Sequence, residues 1–349
     1  MRILLVFPGA LFSTLDVANG YMRAFKRMEG VKLFTFQFHN YLVYHEAAQK
    51  FIQGLKFNQD EVIAAASEHL LIRILQCRPD VVIFISGLAF PTYTWVCVKQ
   101  LQKDLKHTFR TAVVLTESPY IELWEREILK HVDLGFVTDY GILPELKEVN
   151  QNLFYLKHAY DPEVHFWDNR TKTKNVFMVG TGFPERQRLL EQIDWGDNLE
   201  LYGNWMYMGE SPLRKYLVGG NLDNTKVAEY YRDAKIGLNI FRTVQWPDAD
   251  PKFIEPNQAK SLSPRVYETL ACGSLLLTDW REELETLPKD SYVLWGDAAD
   301  LEEKVKWYLA HDEERERISK VGLDAIQGET FDKRANGIVT RMGEVDALM

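Results

Sequence analysis

Short apolar runs alternate along the chain with stretches in which apolar residues recur at helical spacing. The first run, Arg2 to Phe7, precedes a helical pattern from Leu11 to Arg27, and the alternation continues as far as Leu156, with one polar stretch from Asn40 to Gln49. Buried parallel strands are continuous apolar runs, and the helices between them carry one apolar face. This alternation predicts a doubly wound α/β domain.

The same alternation resumes near Lys174 and predicts a second α/β domain. Strands are expected within residues 175–182, 199–203, 235–241 and 274–278, with helices between them. The 349 residues suffice for two domains of ordinary size, each with its own core. The predicted division is 1–160 for an N-terminal domain, 161–330 for a C-terminal domain and 331–349 for a final helix.

The stretch SLSPRVYETLACGSLLLTD, from Ser261 to Asp279, carries the clearest local signals. Ser263 suits the N-cap of a helix, and Pro264 suits the first helical position, where its missing N–H costs nothing. Gly273 suits the left-handed turn that ends a helix. We therefore expect a short, sharply bounded helix followed by a buried strand.

Arg265 and Glu268 lie three residues apart, on one face of the first turn of this predicted helix. The positive end of the helix and a guanidinium together favour an anion such as a diphosphate. Glu268 could accept hydrogen bonds from two neighbouring hydroxyls. The next strand ends at Asp279, and open α/β sheets bind ligands at strand ends. A surface Arg–Glu pair on an ordinary αβ unit is the alternative.

Glycine turns follow the first strand of each predicted domain. Gly9 could let a ligand approach the backbone, or it could serve only the turn. Gly180 and Gly182 begin a G-x-G-x-x-G match, but Glu185 stands at the third position, so the dinucleotide fingerprint fails. A glycine turn that opens a helix still suits phosphate, and Arg186 is the candidate contact.

Metal ligation is weakly indicated. Asp248 and Asp250 form a D-x-D in a long, proline-containing loop, but further ligands are missing. His158, Asp161 and His165 lack the helical spacing of a histidine pair, so a polar linker is the preferred interpretation. The three cysteines form neither a metal-ligand spacing nor a disulfide framework. We expect no metal and no cofactor.

Charge and hydropathy limit the partners and the location. The net charge of −9 disfavours a nucleic-acid-binding surface overall. No window is apolar enough to span a bilayer, and the start of the sequence lacks the cleavage pattern of a signal peptide. Together with the cysteine usage, this predicts a cytoplasmic protein without a transmembrane segment.

The motif SPRVYETLACGSLLLTD resembles the signature of the glycosyltransferase-like family that includes the spore maturation protein CgeB, related to glycosyltransferase family 4. The segments 137–141 and 155–165 also resemble this family, the second at its interdomain crossing. The resemblance implies a GT-B fold, in which two Rossmann-like doubly wound domains face each other across a cleft. The last helix is then expected to pack back on the N-terminal domain.

The same resemblance implies an activity. A glycosyltransferase of this kind moves a sugar from a nucleotide-diphosphate sugar to a hydroxyl of a carbohydrate, protein or other acceptor, with retention of configuration. Arg265 and the Ser263–Pro264 region would neutralise the departing diphosphate. Glu268 would hold the ribose, because it matches the second glutamate of the family-4 E-x7-E pattern. Lys260 stands in place of the first.

The resemblance also distributes the substrates. The strand-end segments that carry Tyr202, Arg242 and Gly182 would line the nucleotide pocket. The acceptor would lie mainly on the N-terminal side, where Glu117 is the candidate contact. A carboxylate capping the Ser118–Pro119 turn is the alternative for Glu117. Two other functions remain open: a sugar-nucleotide epimerase, and a non-catalytic glycosyltransferase-like protein in spore or surface-polysaccharide assembly.

Overall fold

The protein was studied as a computed structural model, which describes residues 1–9, 13–52, 58–105, 108–120, 122–206, 208–243 and 259–348. The D-x-D at Asp248 and Asp250, and most of the loop that carries it, lie outside the described residues. The described chain forms two compact units. One holds residues 1–157 and 331–348, and the other holds residues 158–243 and 260–330.

The apolar runs of the first unit form a parallel sheet. Its strands are β1 (Arg2–Val6), β2 (Lys32–Phe36), β3 (Val81–Ile85), β4 (Arg110–Leu115), β5 (Leu134–Val137) and β6 (Leu153–Tyr155). Their order is β2-β1-β3-β4-β5-β6, with Leu4 of β1 opposite Val82 of β3. The chain leaves β1 for β2 on one side and returns to β3 on the other. The neighbours β1 and β3 therefore mark the topological switch point.

Helices cover the first sheet, and its central strand β3 is apolar and buried throughout. They are α1 (Ser13–Arg27), α2 (Phe38–Ala47), α3 (Gln59–Cys77), α4 (Thr92–Asp104), α5 (Glu122–Leu129) and α6 (Leu143–Lys147). A π-helical turn, Ala48–Ile52, continues α2. The Asn58 side chain caps α3 by accepting hydrogen bonds from the amides of Asp60 and Glu61. This cap fixes the start of the longest helix in the sheet's cover.

The second unit repeats the plan with a different strand order. Its strands are β7 (Lys174–Val179), β8 (Leu199–Tyr202), β9 (Leu217–Gly219), β10 (Ala234–Asn239), β11 (Leu275–Thr278) and β12 (Val293–Leu294). The parallel order is β12-β11-β10-β7-β8-β9, with Val176 of β7 paired to both Ile236 of β10 and Leu199 of β8. The switch point of this sheet lies between β7 and β10.

The helices of the second unit include the one with the strongest sequence signals. They are α7 (Pro184–Leu190), α8 (Asn224–Asp233), α9 (Pro264–Ala271), α10 (Ala298–Ala310) and α11 (Asp312–Ala325). Short 3₁₀ turns lie at Pro212–Tyr216 and Glu282–Thr286. The core of the unit is apolar along β7, β10 and β11, where Val176, Ile236 and Leu275 are fully buried.

The C-terminal helix, α12 (Phe331–Leu348), is part of the first unit. Its Phe331 ring lies 5.0 Å from the Tyr21 ring on α1, and Arg27 donates to Asp332 at 2.8 and 2.9 Å. A Cβ on Gly20 would come within 2.3 Å of the Phe331 ring, so the glycine permits this close packing. In the part of the chain that the structure describes, every helix is too short or too polar to cross a membrane.

Candidate functional site

Arg186 lies at the switch point of the second sheet. Its Nη1 donates to the carbonyl of Thr181, just after β7, at 2.8 Å, and its Nη2 donates to the carbonyl of Ile240, just after β10, at 2.5 Å. Ligands of open α/β sheets bind in the crevice outside the carboxyl ends of the strands, at this kind of position. Arg186 therefore lies at the switch point, on the first turn of α7, and its contact with a phosphate stays a prediction.

Two further arginines gather near Arg186. The guanidinium carbons of Arg186 and Arg242 lie 5.3 and 4.9 Å from the centre of the Phe183 ring, so one buried ring supports both cations. Arg281 donates to the carbonyl of Arg242 at 2.8 Å, and its guanidinium lies 4.5 Å from the centre of the Phe241 ring. This edge of the sheet thus concentrates positive charge, as a binding site for a polyanion requires.

Asp279 offsets part of that charge. Its carboxylate accepts the amide of Phe241 at 2.9 and 3.2 Å and so fixes the turn after β10. Burial raises the pKa of Asp279 to about 6, although the Phe241 amide, Arg281 and Arg186 act in the opposite direction. Near neutral pH the group is an anion. Protonation in mild acid would leave the edge more positive.

Helix α9 starts and ends where the sequence predicts, with Pro264 at its first position and Gly273 in a left-handed turn (φ +69°) after its end. Ser263 occupies the N-cap position, but its hydroxyl makes no cap bond within the described chain. The hydroxyl instead donates to Asn239 Oδ1 at 3.3 Å, and Asn239 Nδ2 donates to Thr278 Oγ1 at 2.9 Å. Ser263 therefore joins the start of α9 to the ends of β10 and β11.

One turn into α9, three side chains form a closed ring of hydrogen bonds. Arg265 Nη1 donates to Glu268 Oε2 at 2.5 Å and to Asn224 Oδ1 at 3.3 Å. Asn224 Nδ2 in turn donates to Glu268 Oε1 at 3.1 Å. His165 Nε2 lies 3.8 Å from the same Oε1. We call Asn224, Arg265, Glu268 and His165 the α9 cluster.

The α9 cluster holds a buried negative charge. Glu268 is 4% exposed, and burial would raise its pKa, but Arg265, His165 and Asn224 together lower the pKa below its ordinary value. Burial lowers the pKa of His165, although Glu268 acts against this. At neutral pH the cluster therefore contains a carboxylate, a guanidinium and a neutral imidazole. Counting side-chain atoms only, Arg265 is 21% exposed and Glu268 is 5% exposed, so Arg265 is the more accessible partner of the ion pair.

Gly182 and Tyr202, both predicted to contact the nucleotide, have protein partners. A Cβ on Gly182 would come within 2.1 Å of the Trp205 ring, and the amide of Gly182 donates to the carbonyl of Asn204 at 2.8 Å. The Tyr202 hydroxyl donates to that of Tyr230 at 2.9 Å, and burial raises the pKa of Tyr202. Packing explains both residues locally, and their ligand contacts stay predictions.

Gly9 and Glu117 lie in the first unit, at the carboxyl edge of its sheet. Gly9 follows β1 at the switch point, where an added Cβ would come within 2.4 Å of the Ala89 Cβ. Glu117 follows β4 and is half-buried, and its carbonyl accepts the amide of Tyr120 at 2.8 Å. Close packing of two turns accounts for Gly9. Ligand contacts by Gly9 and Glu117 remain predictions.

Lys260, at the position where the family-4 resemblance would place a first glutamate, lies with its Nζ 2.9 Å from Glu282 Oε2. Within the described ranges, no three His, Cys, Asp or Glu side chains converge on a possible metal position. Sequence reasoning placed Asp279 at a strand end but missed its bond to the Phe241 amide, and it missed the roles of Asn224 and Asn239. The strand-end rule could have found Asn239, which ends β10.

The described geometry is similar to several solved structures. Sucrose-phosphate synthase from Thermosynechococcus elongatus has 14% identity and a TM-score of 0.67, with 100% of both chains covered. An alpha-glucosyltransferase in complex with UDP-glucose and DNA has 13% identity and a TM-score of 0.63, covering 94% of this chain and 95% of that one. A Listeria monocytogenes protein described as a candidate UDP-N-acetylglucosamine 2-epimerase has 11% identity and a TM-score of 0.60, covering 100% and 97%.

The two six-stranded parallel sheets and these similarities define the fold as GT-B, which confirms the predicted fold class. Within it, residues 185–340 match the family model described as glycosyl transferase-like. That segment contains Arg186, Asn224 and the whole of α9. Comparison of the chain with curated protein sequences finds no match. The narrower resemblances to CgeB and to glycosyltransferase family 4 stay predictions.

Proposed function

We propose that the protein is a glycosyltransferase that uses a nucleoside-diphosphate sugar as donor. The observation that carries this proposal is the α9 cluster, in which a guanidinium and a carboxylate lie one turn into a helix at the carboxyl edge of the second sheet. The match of residues 185–340 to the glycosyl transferase-like model supports it, as does the similarity to a structure that holds UDP-glucose.

The chemistry of the site fits a diphosphate leaving group. Negative charge grows on the departing diphosphate in the transition state, and fixed cations near it lower the barrier. Arg265 and Arg186 supply that charge in our proposal, so no metal ion is needed. Glu268 then accepts hydrogen bonds from the ribose hydroxyls. We further propose that the sugar is transferred with retention of its anomeric configuration, which the product anomer seen by NMR would test.

The acceptor is proposed to be a hydroxyl of a carbohydrate, a protein or another small molecule, contacted by Glu117 in the first unit. The net charge of −9 disfavours a nucleic-acid acceptor, although the alpha-glucosyltransferase to which the chain is similar was solved with DNA. A transfer assay with a carbohydrate panel and with duplex DNA in parallel would distinguish these acceptors.

Thermal shift with UDP, GDP, ADP, dTDP and their sugars is the direct test of donor binding. A ligand that binds only the folded protein stabilises it by about 2.7 kcal/mol at 100 times its Kd. For a unit of this size that corresponds to roughly 5–10 °C in Tm. Slow hydrolysis of the matching nucleotide sugar without acceptor would then establish turnover. If no diphosphate raised Tm and no nucleotide sugar were hydrolysed, the proposal would be wrong.

A sugar-nucleotide epimerase is the second candidate, supported by the similarity to the Listeria monocytogenes protein. Such an enzyme would convert UDP-N-acetylglucosamine to an epimer without any acceptor, which NMR of the mixture would detect. A non-catalytic glycosyltransferase-like protein would bind a nucleoside diphosphate and leave every nucleotide sugar unchanged. The donor screen therefore separates all three functions.

A further inference from the structure

The His165 imidazole is oriented by its own backbone. Its Nδ1 accepts the amide N–H of Asp161 at 3.3 Å, and its own amide donates to the Asp161 carbonyl at 2.7 Å. The ring is 1% exposed, and burial lowers its pKa, so it is neutral at neutral pH. Because Nδ1 is the acceptor, the single ring proton lies on Nε2. His165 thus presents an N–H donor on the side away from Asp161.

That donor points at Glu268 without reaching it. Among the described residues, Nε2 of His165 is buried and has no hydrogen-bond partner. It lies 3.8 Å from Glu268 Oε1, beyond the roughly 3.2 Å limit of an N–H···O bond. Buried donors are almost always paired, so an unpaired one beside a buried carboxylate calls for an explanation. A shift of less than about 1 Å would make the bond.

The segment that carries His165 is anchored from both sides. Arg232, on α8, donates from Nη1 to the carbonyl of Val164 at 2.9 Å, and its guanidinium lies 4.4 Å from the centre of the Phe166 ring. Both neighbours of His165 in the chain are therefore fixed. The imidazole cannot easily turn away from Glu268, and the missing bond is not a consequence of a loose loop.

The ion pair of the α9 cluster gives the unpaired Nε2–H group of His165 a role. A single atom, Arg265 Nη1, donates to both Glu268 Oε2 and Asn224 Oδ1. A diphosphate that draws this guanidinium outward weakens both bonds at once. Among the described residues, Asn224 would then be the one side chain still bonded to the buried Glu268 carboxylate, and an uncompensated buried charge is strongly unfavourable.

We propose that His165 is a positioning residue that bonds Glu268 Oε1 when Arg265 turns toward a bound diphosphate. This inference rests on the proposed function. His165 and Asn224 then hold Oε1 from the buried side, and Oε2, released by Arg265, is left for a ribose hydroxyl. When the nucleotide-sugar donor binds, His165 therefore replaces Arg265 as a partner of Glu268. The carboxylate stays ionised and in place.

Two amide substitutions separate this role from a structural one. Asn at position 165 keeps an acceptor near the Nδ1 position and loses the distal donor, whereas Gln keeps a donor near the Nε2 position and loses the acceptor. We expect His165→Asn to weaken the binding of UDP, GDP, ADP or dTDP, whichever the parent binds, by roughly tenfold or more in calorimetry. His165→Gln should remain within about threefold of the parent.

The replacement of Arg265 by His165 as a partner of Glu268 also predicts that substitutions of these two residues have non-additive effects on the Kd. In an Arg265→Ala background there is no guanidinium to leave Glu268, so adding His165→Asn should change the Kd by less than about twofold. Inorganic pyrophosphate should behave as the nucleoside diphosphate does, because it draws on the same guanidinium. A merely structural His165 would weaken binding equally in both backgrounds, and Gln would then be at least as harmful as Asn. Either result would overturn the inference.

A measurement on the parent protein covers the case in which a His165 variant fails to fold. With ¹⁵N-histidine labelling, the Nε2–H resonance of His165 should move downfield when pyrophosphate or the diphosphate is added, as expected for a new bond to a carboxylate. A resonance that does not move in saturated protein contradicts the replacement of Arg265 by His165 as a partner of Glu268 while leaving the proposed function intact. If the parent binds none of the four diphosphates, the proposed function fails, and that outcome is distinct.

Discussion

The carboxyl edges of the two sheets have similar topology and opposite chemistry. Both sheets are parallel and six-stranded, with one switch point each. At the first, Gly9 packs against Phe38, whose ring is stacked 4.2 Å from that of Phe90. At the second, Arg186 joins the turns after β7 and β10, and Arg242 shares the Phe183 ring with it. Within the described chain, aromatic rings pack beside Gly9 at the first switch point, whereas arginines lie at the second.

This difference shows that topology locates a site without determining what the site binds. Strand order brings the turns after β1 and β3 together just as it does those after β7 and β10. The residues in those turns decide the ligand. Aromatic rings carry no charge to offer a diphosphate, whereas the three arginines at the carboxyl edge of the second sheet do. The following predictions test that contrast, from the largest expected effect to the smallest.

Gly203→Ala should have the largest effect on stability. Gly203 follows β8 with φ +114°, and a Cβ there would come within 2.1 Å of the Gly180 carbonyl oxygen, a backbone atom that cannot rotate away. Strain and overpacking together should cost roughly 3 kcal/mol or more. We expect thermal unfolding to shift down by about 6 °C or more. The Gly180–Gly203 contact fixes the turn that precedes Arg186.

Gly209→Ala is the matched control for this prediction. Gly209 also has a positive φ, +49°, but within the described chain no atom lies closer than 4 Å to the Cβ that alanine would add. Only backbone strain of about 1 kcal/mol is therefore expected. Equal losses for the two variants would mean that the Gly180 contact contributes little.

Arg265→Ala should slow sugar transfer at saturating donor by one to two orders of magnitude. The lost charge-assisted hydrogen bond to the leaving group is worth about 1.5–3 kcal/mol in the transition state. The control is Arg188→Ala, which removes an exposed arginine on α7 and should leave turnover unchanged. A normal rate for Arg265→Ala would remove the α9 cluster from the chemistry.

Asp279→Asn should change how stability depends on pH. The pKa of Asp279 is about 6 in the folded chain, against an ordinary value of about 4. The folded state therefore binds the proton more tightly, and stability from this group is lost as pH rises from about 4 through 6. In Asp279→Asn this pH-dependent loss of folding stability should be absent. For the parent the loss is roughly 1–2 kcal/mol after allowance for partial exposure.

The measurement is chemical unfolding at several pH values on both sides of the window. Parallel curves for the parent and Asp279→Asn would show that the Asp279 carboxyl is not perturbed. Because burial raises the pKa of Asp279 while Arg281 and Arg186 lower it, the test also probes the charged character of that edge.

Much of the fold could be predicted from the sequence because buried parallel strands are apolar runs and helix ends carry specific residues. The limits of α9 follow from Pro264 and Gly273 in this way. The polar stretch from Asn40 to Gln49 gave no helical signal, yet it contains most of α2. The exposed Val43 and Tyr44 break the apolar period there, and packing of the Tyr41 ring on Phe36 stabilises the helix instead.

The candidate site could be predicted only where its residues are close in sequence. Arg265 and Glu268 are one turn apart, so helical spacing alone brings them together. Asn224 bonds Glu268 from α8, and His165 lies 3.8 Å from it on the segment before β7. Only the assembled unit makes these residues neighbours. Local patterns therefore predicted the ion pair and missed the side chains that surround it.

Of these variants, Glu117→Ala should have the smallest effect on the binding of the nucleotide donor. It therefore tests whether the two edges have separate roles. Glu117 lies at the edge of the first sheet, whereas the proposed diphosphate contacts lie in the second unit. We expect the Kd for the nucleoside diphosphate to stay within about twofold of the parent value, while KM for the acceptor rises. A loss of diphosphate affinity in calorimetry would mean that the first edge also binds the donor. The separation of roles between the two edges would then be wrong.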